Sequence, residues 1–430
     1  MAGEWPRMTL REANVMLIDC DHRTPSATDT GYPYVAIPQL RAGRIDLSDV
    51  RRITREHYLE WTRKAKPSAN DVILSRRCNP GETAVAPHGL EFALGQNLVL
   101  LRADGTKVYP PFLRWLVRGP EWWEQISKFI NVGAVFDSLK CADVPKFELR
   151  IPPLPEQRAV AHILGTLDDK IELNRRMNET LEALARALFK SWFVDFDPVL
   201  AKAEGRDPRL PKEIADLFPD SFQDSELGEI PKGWKVAVLG DVANHPRRGV
   251  QPSEIEPSTP YIALEHMPKR CIALADWGTA GGLESNKFEF KNGEILFGKL
   301  RPYFHKVGVA PLDGVCSTDI VVVTPRTEKW FGFVLGHVSS AAFVEYTNAG
   351  STGTKMPRTS WGEMARYAVA MPSESVAEAF TKQIRPAVDR IIASIPESRT
   401  LAALRNALLS KLISGELRVR DAKRLVKETV

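Results

Sequence analysis

The chain has 430 residues, 58 Lys and Arg against 54 Asp and Glu, and 43% hydrophobic residues. That is the make-up of a globular protein of two or three domains, and the lack of any apolar run of about 18 residues excludes a transmembrane helix. Charge is uneven: residues 1–150 carry 21 basic and 18 acidic side chains, 194–229 carry 4 and 10, 230–372 carry 16 and 13, and 373–430 carry 11 and 7. Two mildly basic lobes around an acidic connector leave room for a polyanionic partner. Cys20, Cys78, Cys141, Cys271 and Cys316 are scattered with no C-x-x-C pair. This spacing argues against a disulfide framework or a zinc knuckle and, with no apolar leader after Met1, points to the cytoplasm.

In chain order, the first lobe shows short apolar runs bounded by Gly, Pro, Asn and Asp: Val35-Ala-Ile37, Asp71-Val-Ile-Leu74 and Leu98-Val-Leu-Leu101. These are predicted strands, followed by a predicted helix over 111–129. Pro155 then opens a segment carrying Leu164, Leu167, Ile171, Leu181, Leu184, Leu188 and Trp192 at three- and four-residue steps. Gly165 marks a break, so the long helix is expected from about 166 to 193. A Pro-rich connector spans 194–229. The second lobe repeats the pattern, with strands at Glu294-Ile-Leu-Phe297 and Asp319-Ile-Val-Val-Val323 and a helix over 329–346. A second long helix is expected from Pro386 to about 414. Its stripe is Ile384, Ile391, Leu401, Leu404, Leu408 and Leu412, and Gly415 supplies the stop.

The two halves are copies. Trp5 and Leu10 recur as Trp234 and Leu239, Pro33-Tyr-Val-Ala-Ile37 as Pro260-Tyr-Ile-Ala-Leu264, and Gly133 as Gly353. The offset drifts from 229 to 220 and then holds, so Asp169-Lys-Ile171 falls on Asp389-Arg-Ile391 and Leu181 on Leu401. Loops absorb insertions, whereas a helix packed along its length does not. The duplication also offers each helix the other's apolar stripe as a partner, best in antiparallel order, giving a pseudo-twofold. Asn174 and Asn178, mirrored by Ser394 and Ser398, fall inside that seam, where polar residues cost stability but fix register.

No catalytic signature accompanies this architecture. Gly293 to Lys299 approximates a phosphate loop, but Leu300 stands where a metal-binding Ser or Thr is required, and the intervening residues are strand-like. A basic strand end recurs instead: Arg76 and Arg77 after the first lobe's strand, Lys299 and Arg301 after the second's. Beyond the glycine loops come Lys140 in one lobe, Lys355 and Arg358 in the other. Arg suits bidentate contact with guanine or phosphate and Lys positions a duplex, so these seven are candidate DNA-binding residues. Each taken singly is equally compatible with a solvated charged turn.

Several longer strings carry a family resemblance. They are Ile151-Pro-Pro-Leu-Pro-Glu-Gln-Arg-Ala-Val-Ala-His-Ile-Leu-Gly165, Leu181-Glu-Ala-Leu-Ala-Arg-Ala-Leu-Phe-Lys-Ser-Trp-Phe193 and Val194-Asp-Phe-Asp-Pro198. Gly228-Glu-Ile-Pro-x-Gly-Trp234 and Leu408-Leu-Ser-Lys-Leu-Ile-Ser-Gly-Glu-Leu417 belong with them. Together they resemble the DNA specificity subunits of type I restriction-modification systems. The resemblance implies an α+β chain with two tandem target recognition domains, at 1–151 and 230–372, separated by an antiparallel pair of long coiled-coil helices. The helical spacers would occupy 152–193 and 373–417, the acidic connector 194–229 and a C-terminal tail 418–430.

The resemblance further implies that each lobe reads one half of a bipartite asymmetric target in double-stranded DNA. The helices would dock two modification (methyltransferase) subunits, which bind S-adenosylmethionine, and restriction subunits using ATP and Mg²⁺ would join. This chain would hold no cofactor, no metal and no catalytic residue. A stand-alone DNA-binding regulator and a coiled-coil scaffold are the alternatives.

Overall fold

The computed structural model describes residues 5–133, 136–351, 353, 356–422 and 424. It divides into two compact units, one of residues 1–169 with 402–430, the other of 170–401. The chain passes between units twice, and both crossings lie inside long helices, Leu154–Phe193 and Glu374–Ser414.

In the first unit, a four-stranded antiparallel sheet runs in the order Val15–Asp19, Leu98–Ala103, Val72–Ser75, Thr83–Val85. A smaller sheet sets Tyr32–Val35 between Arg51–Ile53 and Ala93–Leu94, the second of these pairs parallel. Arg7–Thr9 pairs with Glu148–Arg150 and closes the lobe. Val72, Ile73 and Leu74 are wholly buried, so their continuous apolar run is that of a strand covered on both faces.

The second unit repeats the main features of this plan. Its four-stranded sheet runs Ala243–Asn244, Ile320–Pro325, Ile295–Gly298, Val307–Val309. The parallel pair recurs as Pro260–Ile262 with Gly314–Cys316, inside a five-stranded sheet. The closing pair recurs as Lys235–Val238 with Ala368–Met371. The duplication read from residue matches is therefore a duplication of hydrogen-bonded topology.

Several expectations about the helices need correction. Both long helices begin twelve residues earlier than predicted, at Leu154 and Glu374, and run for 40 and 41 residues, about 60 Å at the usual rise. Gly165 lies in open space, and its helix cost of about 1 kcal/mol is outweighed by burial of Val160, Ile163, Leu164 and Leu167. Pro386 and Pro396 both sit within the second helix, held by buried Phe380, Ile384, Val388, Ile391 and Ile395 around them.

The helices predicted over 111–129 and 329–346 are each two. Pro110–Leu116 stops before Gly119, and Pro120, preset for a first helical turn, opens Pro120–Phe129. Phe331–Val338 gives way to Ala341–Ala349 at Ser340, whose hydroxyl accepts from the Phe343 amide as an N-cap. The acidic connector is folded. It forms the helix Asp197–Ala203 and the first strand, Phe222–Ser225, of a hairpin completed by Gly228–Pro231, and buries Val199 and Phe218 in the second unit's core.

The seam is the third structural element. In the second unit the Asn174 amide donates to Ser398 Oγ and Glu397 Oε2, both at 3.1 Å, and Ser394 Oγ donates to Asn178 Oδ1 at 2.9 Å. Residue numbers rise on one helix as they fall on the other, so this stretch is antiparallel. The two contacts exchange under the repeat offset, as a local twofold requires. Leu164, Leu167, Ile384, Ile391, Leu401 and Leu408 are buried, while Ile171, Leu181, Leu188 and Leu404 are partly so.

Leu184 departs from the expected seam, at 53% exposed. From Leu181 the packed stripe steps to Ala185 and Leu188, a four-then-three step, not the reverse. Glu182 is buried on this face, accepting from Arg186 and from the Ile272 amide at 3.0 Å, and this turns Leu184 to solvent.

Candidate nucleic-acid interface

The basic strand ends are built the same way in each lobe. In the first unit, the Arg76 amide donates to Asn97 O at 2.9 Å and Arg76 O accepts from the Leu139 amide at 2.9 Å. Arg77 forms an antiparallel bridge with Ser138, and Ser138 closes a loop by exchanging backbone hydrogen bonds with Asn131. Arg77 and Lys140 are exposed. Residues 76, 77 and 140, separated by more than sixty positions in sequence, are thus brought side by side at one end of the central strand.

In the second unit the Lys299 amide donates to Asp319 O at 2.9 Å and Lys299 O accepts from the Thr359 amide at 3.1 Å. Leu300 bridges Arg358, and the Arg301 amide donates to Pro357 O at 2.7 Å. Asp319 and Thr359 stand where Asn97 and Leu139 stand in the first lobe. Arg301 adopts a left-handed conformation, φ 51°, as it leaves the strand. Arg358 is exposed but pairs with Asp319 at 2.9 Å. Lys355, also predicted here, lies outside the described residues.

Electrostatics follow from this convergence. Burial pushes the Lys299 ammonium below its ordinary pKa; Arg358 and Arg247 push the same way, and Asp319 opposes them. Burial likewise raises the Cys20 thiol to about 11 and raises that of Cys141, while Arg76 acts on both in the opposite sense. The Nε atoms of Arg76 and Arg301 are buried with no hydrogen-bond partner among the described residues. Both strand ends are thus held by backbone ladders and carry cationic side chains, Arg76 and Arg77 in the first lobe, Lys299 and Arg301 in the second.

Sequence reasoning missed Arg247. Its visible signal was the pair Arg247-Arg248 before Gly249, but only the fold sets the exposed Arg247 close enough to repel Lys299. Arg248 is committed elsewhere, to Glu294. Among the described residues, Asp19, Cys20 and His22 bring ligand atoms within 4.8 Å of one another. His22 and Asp19 pair at 3.2 Å, and the Cys20 thiol is turned onto Gly95 O at 3.3 Å.

A buried ionic cluster lies in the first unit. Asp168 of the first long helix accepts from Arg405 of the second and from Arg114, and pairs with Arg44 at 3.2 Å. Burial would raise its pKa, yet Arg114, Arg44 and Arg405 together hold it below the usual carboxylate range. Arg118 nearby is pushed down to about 10 by burial and by Arg405.

No helix among the described residues is long and apolar enough to cross a membrane. Residues 22–183 match the family model described as the type I restriction modification DNA specificity domain. Among curated proteins, the chain is 26% identical over 384 residues to the type I restriction enzyme MjaIX specificity subunit of Methanocaldococcus jannaschii, covering 86% of this chain and 83% of that one. It is 22% identical to the HindI specificity subunit of Haemophilus influenzae, covering 76% and 81%, and 24% identical to the EcoDI specificity subunit of Escherichia coli, covering 71% and 70%. The fold is similar to the crystal structure of a type I restriction-modification S subunit from M. genitalium, with a TM-score of 0.55 at 16% identity over 96% of this chain and 97% of that one.

Proposed function

Because the chain belongs to the family of type I restriction-modification DNA specificity subunits, we propose that each lobe reads one half of a bipartite, asymmetric sequence in double-stranded DNA. The observation that carries this reading is the basic strand end built twice, in separate units, on the same backbone ladder. A chain with one such end would read one contiguous site; a chain with two reads two.

As a specificity subunit the chain is non-catalytic and works within a restriction-modification complex. We assign Arg76, Arg77 and Lys140 to the first half-site, and Lys299, Arg301 and Arg358, with Arg247 added, to the second. Exposed Arg77, Lys140, Arg247 and Arg358 neutralise phosphates, which makes affinity salt-dependent. Arg76 and Arg301, pinned at the backbone, are the better placed for base edges, where geometry must be reproducible. The paired helices dock two modification subunits, which supply S-adenosylmethionine and methylate adenine, and restriction subunits bring ATP and Mg²⁺. All five cysteines are free thiols, which suits a reducing cytoplasm.

Methylome sequencing of cells expressing the chain with its neighbouring modification subunit tests this. One asymmetric, gapped N6-methyladenine motif that disappears with this gene is the expected result. No motif, from a modification subunit active with another specificity chain, would instead favour a stand-alone regulator or a scaffold.

A further inference from the structure

Two exposed apolar side chains occupy the same place in the two repeats. Phe136 is 56% exposed and Met356 is 53% exposed, and they are 220 residues apart, the offset that holds from Gly133 onward. Single exposed apolar residues are ordinary on any surface. Two at equivalent positions, each on the loop leading into a basic strand end, call for a shared cause.

The backbone around them is also repeated. A Cβ on Gly133 would lie 2.4 Å from Phe136 O, and one on Gly353, whose φ is +94°, would lie 3.2 Å from Met356 O. In both lobes a glycine lies close against the carbonyl of the apolar residue three positions on. Ser138 and Arg358, two residues further along, then make the bridges to Arg77 and Leu300. In both lobes the chain two residues beyond the apolar side chain is therefore tied to the basic strand end.

We propose that Phe136 and Met356 are wedges that enter the base stack of the duplex, one at each half-site. This rests on the DNA-reading function proposed above and adds a role for residues that carry no charge. Apolar side chains inserted between base steps partly unstack them and kink the duplex, at a cost offset by the contacts the bend permits. Flanking cations hold the phosphates while an apolar tip displaces a neighbouring base. Such a step lowers the work of extruding an adenine into a methyltransferase pocket.

The test uses the chain assembled with its modification subunit and a duplex carrying the methylome-defined target. 2-Aminopurine is placed in turn at each step of both half-sites other than the methylated adenine. Enhanced fluorescence is expected at one step in each half-site. Phe136→Ala should abolish it in the first half-site alone, Met356→Ala in the second alone, and Phe136→Leu and Met356→Leu should retain it. Loss of one stacked contact should also weaken target binding by about tenfold. Enhancement absent from the wild-type complex, or unchanged in both alanine variants, overturns the wedge. So does loss of modification-subunit assembly with DNA binding intact, which would make these tips protein contacts. Failure to bind any gapped target is a separate outcome and counts against the DNA-reading proposal itself.

Discussion

Arg405 on the second long helix donates to Asp168 on the first, across 237 residues of sequence and inside the first unit. Both groups are nearly excluded from solvent, and Asp168 also serves Arg114 and Arg44. One carboxylate thus ties the return of the second helix to the lobe and to the first helix.

Breaking that tie should be costly. Asp168→Asn leaves Arg405 and Arg114 facing each other without their shared carboxylate, and loss of one member of a buried pair costs about 3–5 kcal/mol. A fall of that size in urea-denaturation stability is expected. A loss below about 1 kcal/mol would show that the cluster behaves as a surface pair.

Gly336 sits on the helix Phe331–Val338, and a Cβ there would lie 2.0 Å from the Phe189 ring of the first long helix. Phe189 belongs to the second unit's core and Gly336 is half-buried against its ring, so the ring cannot retreat without opening a gap. Gly336→Ala should destabilise that unit by about 1–3 kcal/mol, against the usual helix-stabilising direction of Gly to Ala. Thermal unfolding of the variant measures it, and a rise in Tm would contradict the packing described.

His337 is buried among Phe189, Phe333 and Tyr367, and burial drives its pKa down from 6.5 to about 3. The folded state therefore binds fewer protons than the unfolded state between these values. Stability is full above pH 6.5 and is lost as pH falls towards 3, by about 1.4 kcal/mol per pH unit. Denaturation midpoints at pH 7 and pH 5 should differ less in His337→Phe than in the wild type. Equal differences would show that His337 does not drive the acid sensitivity.

Arg77→Ala and Lys140→Ala should weaken DNA binding by similar factors on target and non-target duplexes. Each should flatten the salt dependence of log affinity by about one unit of slope. Arg76→Ala should instead relax sequence preference in the first half-site. Fluorescence anisotropy over a salt series, on duplexes altered one base at a time, separates the two classes. Identical behaviour of all three would reject the assignment.

The unit boundaries at Asp169/Lys170 and Leu401/Ala402 lie within the long helices. Four residues inserted at each add about 6 Å of helix at 1.5 Å per residue. The methylated motif should gain about two unread base pairs, at 3.4 Å each, with both half-sites unchanged. Altered bases within a half-site would show that the helices do not act as a spacer.

Much of this chain was legible without coordinates. The residue matches announced the duplication, and the topology repeats it down to the parallel pair in each lobe. Asn174, Asn178, Ser394 and Ser398 stood out as polar residues in an apolar stripe, and they are the ones that pair. Leu184 misled because a 3.6-residue period permits both a three-step and a four-step from Leu181, and Leu outweighs Ala185 on any hydropathy scale. Gly165 and Pro386 misled because propensity speaks for a single residue, whereas burial acts along the whole helix.

The sequence by itself determined the repeat, the apolar stripes and the basic strand ends, since each is written in residue type and local spacing. Only the tertiary structure decided that Arg76 and Arg77 meet Ser138 to Lys140, that Arg247 approaches Lys299, and that Asp168 receives Arg405, Arg114 and Arg44. The reason is physical. Periodicity records which face of an element is buried, but a contact between distant segments depends on how the chain closes on itself, and that closure leaves no periodic trace in the residues that make it.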